Sequence, residues 1–341
     1  MKEKNPIPAD DFKKICENLS QRNRALRKVM NIPNGATVAP GFRERCAMED
    51  NTRLPINEEY FVQLFPEYNA FAEAVRQKIA AMPEVDKGIP VSKENLWIWG
   101  GPHPEWGGSL KKDTLMQSVK YFNAENGIYV YGPVSEEMIA LHSGLKKMLV
   151  MVTNTCRAPG QQPESDAECA EKLSRLSLKY PNITGGMMDD MTASLTTITA
   201  EKIQQVKTVS ENLKKHNPAL ELYGTVYSHE LEEKDFDEIN PYIDGVNLWF
   251  WYQEVILDLE ARVELCRKKF PGKKILLGLF IHDYGTADAG TVPDLLLHQL
   301  KVSRKLLAEN KITGLVILGD REILKWPEQA GLIKGFLAAQ N

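Results

Sequence analysis

From Leu96 onward the chain alternates short apolar runs, many of them β-branched, with longer stretches whose apolar residues recur at helical spacing. That alternation predicts parallel strands joined by helices. The runs start near Leu96, Ile128, Met148, Ile183, Glu221, Ile243, Ile275 and Leu315. Eight such strands, most with room for a helix between them, close into a (β/α)8 TIM barrel without leaving an edge. An open doubly wound sheet is the other arrangement the pattern permits. Helical signals sit where a barrel requires them. Between Glu201 and Lys215, Ile203, Val206, Val209 and Leu213 share one face, and Asn217 and Pro218 stop the helix. Ser165 and Glu168 have capping-box spacing ahead of Leu173 and Leu176. Pro293 falls in the first turn of a third helix, where a missing N–H costs least.

The first part of the chain has no strand pattern. An amphipathic helix runs from about Asp10 to Met30, a Pro- and Gly-rich stretch follows from Ile32 to Gly41, and Tyr68, Phe71, Val75 and Ile79 mark a second helix. The expected organisation is an N-terminal helical extension, residues 1–94, packed on a barrel of residues 95–341. Phe42, Arg43 and Arg53, in the loops of that extension, could alternatively reach the barrel's working end.

Composition narrows the function classes. The 42 basic and 46 acidic residues give a net charge of −4 with no long run of one sign, which argues against nucleic acid as partner. Apolar runs such as Ile275–Ile281 reach strand length only, so no membrane span is expected. The start, Met1–Asp11, is polar and lacks an export signal, so the chain as numbered reads as cytoplasmic, or as exported if a leader was removed beforehand. Cys16, Cys46, Cys156, Cys169 and Cys266 are scattered and form no Cys-x-x-Cys pair; Cys16, Cys169 and Cys266 read as small buried side chains on helices. Gly-x-x-x-x-Gly-Lys-Ser/Thr and Gly-x-Gly-x-x-Gly are missing, so no nucleotide cofactor is expected.

In a barrel of this kind the carboxyl ends of the strands form the site. Those positions here are rich in carboxylates and flat rings: Trp99, His103 and Trp106 after strand one, Tyr131 after strand two and Asn154 after strand three. Asp189 and Asp190 follow strand four, Tyr227, His229 and Glu230 strand five, Asn247, Trp249 and Trp251 strand six, His282 and Asp283 strand seven, and Asp320 strand eight. Carboxylates bind sugar hydroxyls and rings cover the CH faces of sugars, which makes a carbohydrate or glycoside the expected ligand. Glycoside cleavage needs a carboxylic acid to protonate the leaving oxygen, and a carboxylate or a substrate group to stabilise the oxocarbenium-like centre. Adjacent acids after an apolar strand repel each other and raise one pKa, so Asp189 and Asp190 are the leading pair, with Glu230 as nucleophile or base. Neighbouring strand residues point to opposite faces, so both aspartates serve one site only if the strand breaks there. Gly185 and Gly186 would let a ligand or another backbone approach.

The segment Gly186-Met187-Met188-Asp189-Asp190-Met191 resembles the aspartate pair that ends strand four in barrel hydrolases of the O-GlcNAcase and hyaluronoglucosaminidase type. The resemblance implies that Asp189 orients a substrate acetamido group, which itself attacks the anomeric carbon, and that Asp190 is general acid and base. Two rival readings remain: a carbohydrate-binding barrel without chemistry, and a metal-dependent barrel hydrolase or isomerase built on His229, Glu230, His282, Asp283 and the aspartates. Neither His-x-His nor His-Glu-x-x-His occurs, so no metal is expected.

Overall fold

The computed structural model describes residues 7–30, 58–85, 88–102, 111–153, 164–193, 195–282, 290–319, 323 and 326–340. Eight strands close into a barrel in chain order: β1 (Leu96–Gly100), β2 (Asn126–Tyr129), β3 (Lys147–Met151), β4 (Ile183–Met188), β5 (Glu221–Tyr227), β6 (Gly245–Trp249), β7 (Lys274–Leu279) and β8 (Gly314–Leu318). All neighbours are parallel, β1 with β8 included, which excludes the open sheet. The strands expected from Ile128 and Ile243 begin at Asn126 and Gly245. Ladder pairing, not apolarity, decides where a strand starts.

Besides two short 3-10 helices, Asn240–Tyr242 and Gln253–Asp258, the described residues form the α-helices α1 (Ala9–Val29), α2 (Glu58–Ala81), α3 (Thr114–Phe122), α4 (Glu136–Leu141), α5 (Asp166–Ser177), α6 (Ala200–Lys214), α7 (Glu230–Glu233), α8 (Leu259–Lys269), α9 (Pro293–Ala308) and α10 (Pro327–Ala338). The capping box of α5 forms as its spacing predicts: the Glu168 N–H donates to Ser165 Oγ at 3.2 Å and the Ser165 N–H to Glu168 Oε2 at 2.7 Å. On α6, Val206, Val209 and Leu213 are buried and Ile203 is half-buried. Pro293 opens α9. After β5 the connection is different, since α7 is a single turn that places Glu230 directly at the strand end.

Strand parity divides the apolar residues into two sets. Leu96, Ile98, Tyr129, Val150, Met188, Leu222, Val226 and Leu248 face the helices in one large core. Trp97, Trp99, Ile128, Val130, Leu149, Met151, Met187, Tyr223, Trp249, Leu276 and Val316 fill the barrel itself. Four of those side chains are large rings, and glycines on neighbouring strands make room for three of them. A Cβ on Gly245 would lie 2.2 Å from the Tyr223 ring, one on Gly278 would lie 2.1 Å from the Trp249 ring, and one on Gly314 would lie 3.0 Å from Trp97. Gly185 and Gly186 serve packing as well. A Cβ on Gly185 would meet the Glu221 carbonyl at 2.0 Å, and one on Gly186 would meet Leu213 of α6 at 3.2 Å. Of the two uses expected for this pair, the approach of another backbone is what Gly185 permits.

Helices α1 and α2 pack antiparallel, with Phe12 stacked on Phe71 at 6.1 Å and Arg22 paired with Glu67 at 3.9 Å. The pair lies against the barrel beside α9. The Tyr68 hydroxyl donates to the Gly290 carbonyl at 2.7 Å, and Arg76 meets Asp294 at 2.9 Å. Cys16, Cys169 and Cys266 are buried on helices and are in no disulfide; burial pushes the Cys169 and Cys266 thiols up to about 12, so both stay protonated and inert. Cys46, Cys156, Phe42, Arg43 and Arg53 lie outside the described residues. Among the described residues no helix is long and apolar enough to cross a membrane.

The glycine seat of Trp249 generates a stability test. Gly278→Ala should cost about 1–3 kcal/mol through overpacking, read as a lower midpoint in urea unfolding. An unchanged midpoint would show that the indole is not held against β7.

Candidate active site

Strand β4 ends at Met188, and its inward parity, shared by Met187, passes to Asp189. Asp190 then takes φ 47°, in the left-handed region. Ordinary alternation would turn its carboxyl away from the mouth, and this reversal of the backbone keeps both acids at the same end. Asp tolerates that conformation better than most residues, at a cost of about 1–3 kcal/mol. The turn is fixed by backbone donors. The Asp189 N–H donates to Thr153 Oγ1 at 3.1 Å, and the Asp190 N–H donates to Asp189 Oδ1 at 3.0 Å.

The two carboxyls differ in environment. Asp189 is half-buried above the barrel filling, while Asp190 is exposed and accepts the Tyr227 hydroxyl on Oδ1 at 2.6 Å. Loss of solvent, and then the neighbouring charge of Asp190, push the Asp189 carboxyl up to about 7. The Thr225 hydroxyl, 3.8 Å from Met187 Sδ, gains more from a carboxylate than from a thioether, and it opposes that shift. The Tyr227 phenol is raised well above its usual value by burial and by both aspartates, so it acts as a neutral donor. Asp189 therefore gains and loses a proton around neutral pH, far above the ordinary carboxylate range.

Rings surround the pair. Tyr131, at φ 67°, turns over the mouth so that its hydroxyl oxygen accepts the Trp99 indole N–H at 3.1 Å. Trp99 meets Trp249 edge to face at 5.8 Å. Tyr227 stacks on His229 at 5.8 Å and meets the edge of Trp251 at 5.5 Å. Trp251 is 37% exposed, whereas Trp99 and Trp249, at 3% and 7%, fill the barrel beneath. The expectation that Trp99 and Trp249 stack on a sugar gives way to a structural role, because their inward parity carries them into the interior.

Other residues singled out from the sequence are also engaged elsewhere. Asn247 is fully buried, accepts the Trp249 indole N–H at 2.7 Å and donates to the Leu276 carbonyl at 3.0 Å, so it holds Trp249 rather than a sugar. His282 is 1% exposed and packs on Trp326 at 5.5 Å. Glu230 is 1% exposed. Its carboxylate pairs with buried Lys234 and accepts the Thr192 hydroxyl at 2.7 Å and the Tyr227 N–H at 2.8 Å. A nucleophile needs an open oxygen facing the substrate, and this placement provides none. His103, Trp106, Asn154, Asp283 and Asp320 lie outside the described residues. Among the described residues no three or more His, Cys, Asp or Glu side chains are grouped to hold a metal ion.

Sequence reasoning missed Thr192 and Lys234, and it placed Thr153 and Thr225 at strand ends without giving them these partners. Lys234 carried a signal, since it stands four residues after Glu230 on a helical turn. Thr192 had none: its role depends on where neighbouring strands end.

No protein-family profile matches the chain, and no curated protein matches it in sequence. Solved structures do resemble it. A protein from Bacteroides thetaiotaomicron VPI-5482, provisionally described as an alpha-L-fucosidase, aligns at TM-score 0.51 with 11% identity over 75% of this chain and 96% of its own. A beta-D-glucuronidase of Dictyoglomus thermophilum aligns at TM-score 0.46 with 13% identity over 72% of this chain, which spans half, 50%, of that longer protein. A glycoside hydrolase family 18 N-acetylglucosaminidase from Paenibacillus barengoltzii aligns at TM-score 0.41 with 11% identity, covering 71% of this chain and 99% of that one. Similarity at this level is one of barrel fold.

The raised Asp189 carboxyl has a consequence for stability. The folded protein keeps a proton that the unfolded chain releases near pH 3.9, so stability falls as pH rises from about 4 to about 7. Asp189→Asn removes this dependence. Relative to the wild type, the variant should gain on the order of 2–4 kcal/mol between pH 4 and pH 8 in urea unfolding. A pH-independent difference would show that Asp189 is not desolvated.

Proposed function

We propose that the protein is a glycoside hydrolase whose Asp189–Asp190 pair performs the acid/base chemistry. The observation that carries this reading is a desolvated Asp189, its carboxyl raised to about 7, next to an exposed Asp190 that accepts the Tyr227 hydroxyl at 2.6 Å. Glycosidic cleavage requires a protonated carboxyl at neutral pH beside an ionised group. With Glu230 tied to Lys234, strand β5 supplies no separate nucleophilic carboxylate. That favours a substrate that brings its own nucleophile, the acetamido group of an N-acetylhexosamine.

The raised Asp189 carboxyl fits such a cycle. When an acetamido N–H donates to Asp189, the ionised form of Asp189 is favoured, and its proton moves to Asp190. Asp190 then protonates the leaving oxygen while Asp189 holds the acetamido group for attack on the anomeric carbon. Water later opens the cyclic intermediate, returning its proton through Asp190. The rings of Tyr227 and Trp251, packed edge to face beside the acids, are the side chains that would meet the sugar.

The test is turnover of aryl glycosides of N-acetylhexosamines and of plain hexoses. Wild-type protein should prefer the N-acetyl substrates. Asp190→Asn should lose about 100-fold or more on a nitrophenyl glycoside, and far less on a dinitrophenyl one, whose leaving group needs no proton. Asp189→Asn should lose activity on both. Absence of wild-type turnover on every aryl glycoside, or an unchanged Asp190→Asn rate, would overturn the assignment.

A further inference from the structure

Beneath the acid pair lies a buried charged cluster that takes no part in the chemistry above. Glu230 and Lys234 are 1% and 5% exposed and form an ion pair one helical turn apart. Both reach the chain that follows β4, and Glu230 also reaches the end of β5. Glu230 Oε1 accepts the Thr192 hydroxyl at 2.7 Å, and Glu230 Oε2 accepts the Tyr227 N–H at 2.8 Å. Lys234 Nζ donates to the Thr192 carbonyl at 2.6 Å. Lys269 of α8 in turn donates to the Lys234 carbonyl at 3.1 Å. Thr192, fully buried, follows Asp190 by two residues, and Tyr227 carries the hydroxyl that binds Asp190.

We infer that Glu230 and Lys234 are positioning residues: their buried ion pair ties the chain after Asp190 to the end of strand β5, and so fixes Tyr227 against Asp190. Two arguments support this. First, replacing a buried ion pair by apolar groups is often neutral or stabilising, so stability alone gives little reason for two charges at this place. Second, the cluster closes a ring. It runs from Asp190 to Thr192 along the chain, to Glu230 and Lys234 through side chains, to Tyr227 through its N–H, and back to Asp190 through the phenol. Asp190 sits in a left-handed conformation at an exposed turn. Its carboxyl direction is set only as firmly as the two strand ends are held together. A displacement of about 1 Å at a reacting group can cost about 100-fold in rate.

This inference refines the proposed hydrolase site and rests on it for the catalytic readout. The decisive variant is Glu230→Gln/Lys234→Met, which removes both charges at once and leaves no unpaired buried ion. It should unfold at the wild-type urea midpoint or above it, yet lose about 10–100-fold in kcat with KM within twofold. Thr192→Val, a milder change, should lower kcat in the same direction. If the double variant does not fold, Thr192→Val alone decides. A folded variant with wild-type kcat would overturn the inference, as would a loss confined to KM. Hydrogen exchange supplies a readout independent of turnover: amides of residues 189–193 and 226–230 should exchange faster in the variant, with β7 unchanged. If the wild type cleaves no glycoside, the functional proposal fails, and unchanged exchange at these two segments is the separate result that would overturn the positioning role.

Discussion

Closing eight parallel strands into a barrel forces every second side chain into one enclosed space, and the filling of that space governs the rest of this molecule. Here the filling is unusually aromatic: Trp97, Trp99, Tyr223 and Trp249 share the interior with Met151, Met187 and aliphatic side chains. Rings of that size fit because Gly245, Gly278 and Gly314 give up their side chains opposite them. The stack fills the barrel beneath the mouth, and the first polar group beyond it at the end of β4 is Asp189. A carboxylate placed there loses solvent on one side and faces Asp190 on the other. The aromatic filling and the displaced acid are therefore one feature, since a barrel packed with smaller residues would admit water and let Asp189 ionise normally.

Most of the architecture was legible because periodicity reports burial directly. The run from Ile275 and the alternation around Trp249 could only be strands, and the spacing of Val206, Val209 and Leu213 could only be a helix face. The site was legible to the level of strand ends, which is how Asp189, Asp190, Tyr227 and Trp251 came to be named. Beyond that level, sequence position does not reveal whether a polar atom is already engaged. Asn247, Glu230 and His282 stand at strand ends as expected, yet their polar groups or faces are taken by Trp249, Lys234 and Trp326 respectively. The positive φ values at Tyr131 and Asp190 were also invisible, because neither position carries the glycine that usually marks a left-handed turn.

Strain and desolvation at the mouth have to be offset by neighbours that allow no alternative. Asp190 gives up a favourable backbone conformation and Asp189 gives up its charge, and each would relax if the turn could move. Movement is opposed from both sides. Thr153 of the adjoining strand holds the Asp189 N–H, and the Glu230–Lys234–Thr192 cluster holds the chain just beyond Asp190. Strand β7 is secured in another way, by buried Gln299 bonded to both the N–H and the carbonyl of Phe280 and by Tyr68 of the helical extension bonded to Gly290.

Placing both acids on one turn, rather than on opposite strands, changes how a proton can be used. Two carboxyls on separate strands hold protonation states set by separate surroundings, and a step that exchanges their roles waits for solvent. Adjacent carboxyls repel directly, so donation of a hydrogen bond to one of them shifts the proton toward the other. In the proposed hydrolysis, a ligand arriving at Asp189 would thereby arm Asp190 by binding alone. For that coupling to be useful the geometry of Asp190 must be fixed before the proton arrives, because a flexible acid would spend its proton on water. The Tyr227 phenol, too weak an acid to ionise beside two carboxyls, fixes it by donating to Asp190 without supplying a competing charge.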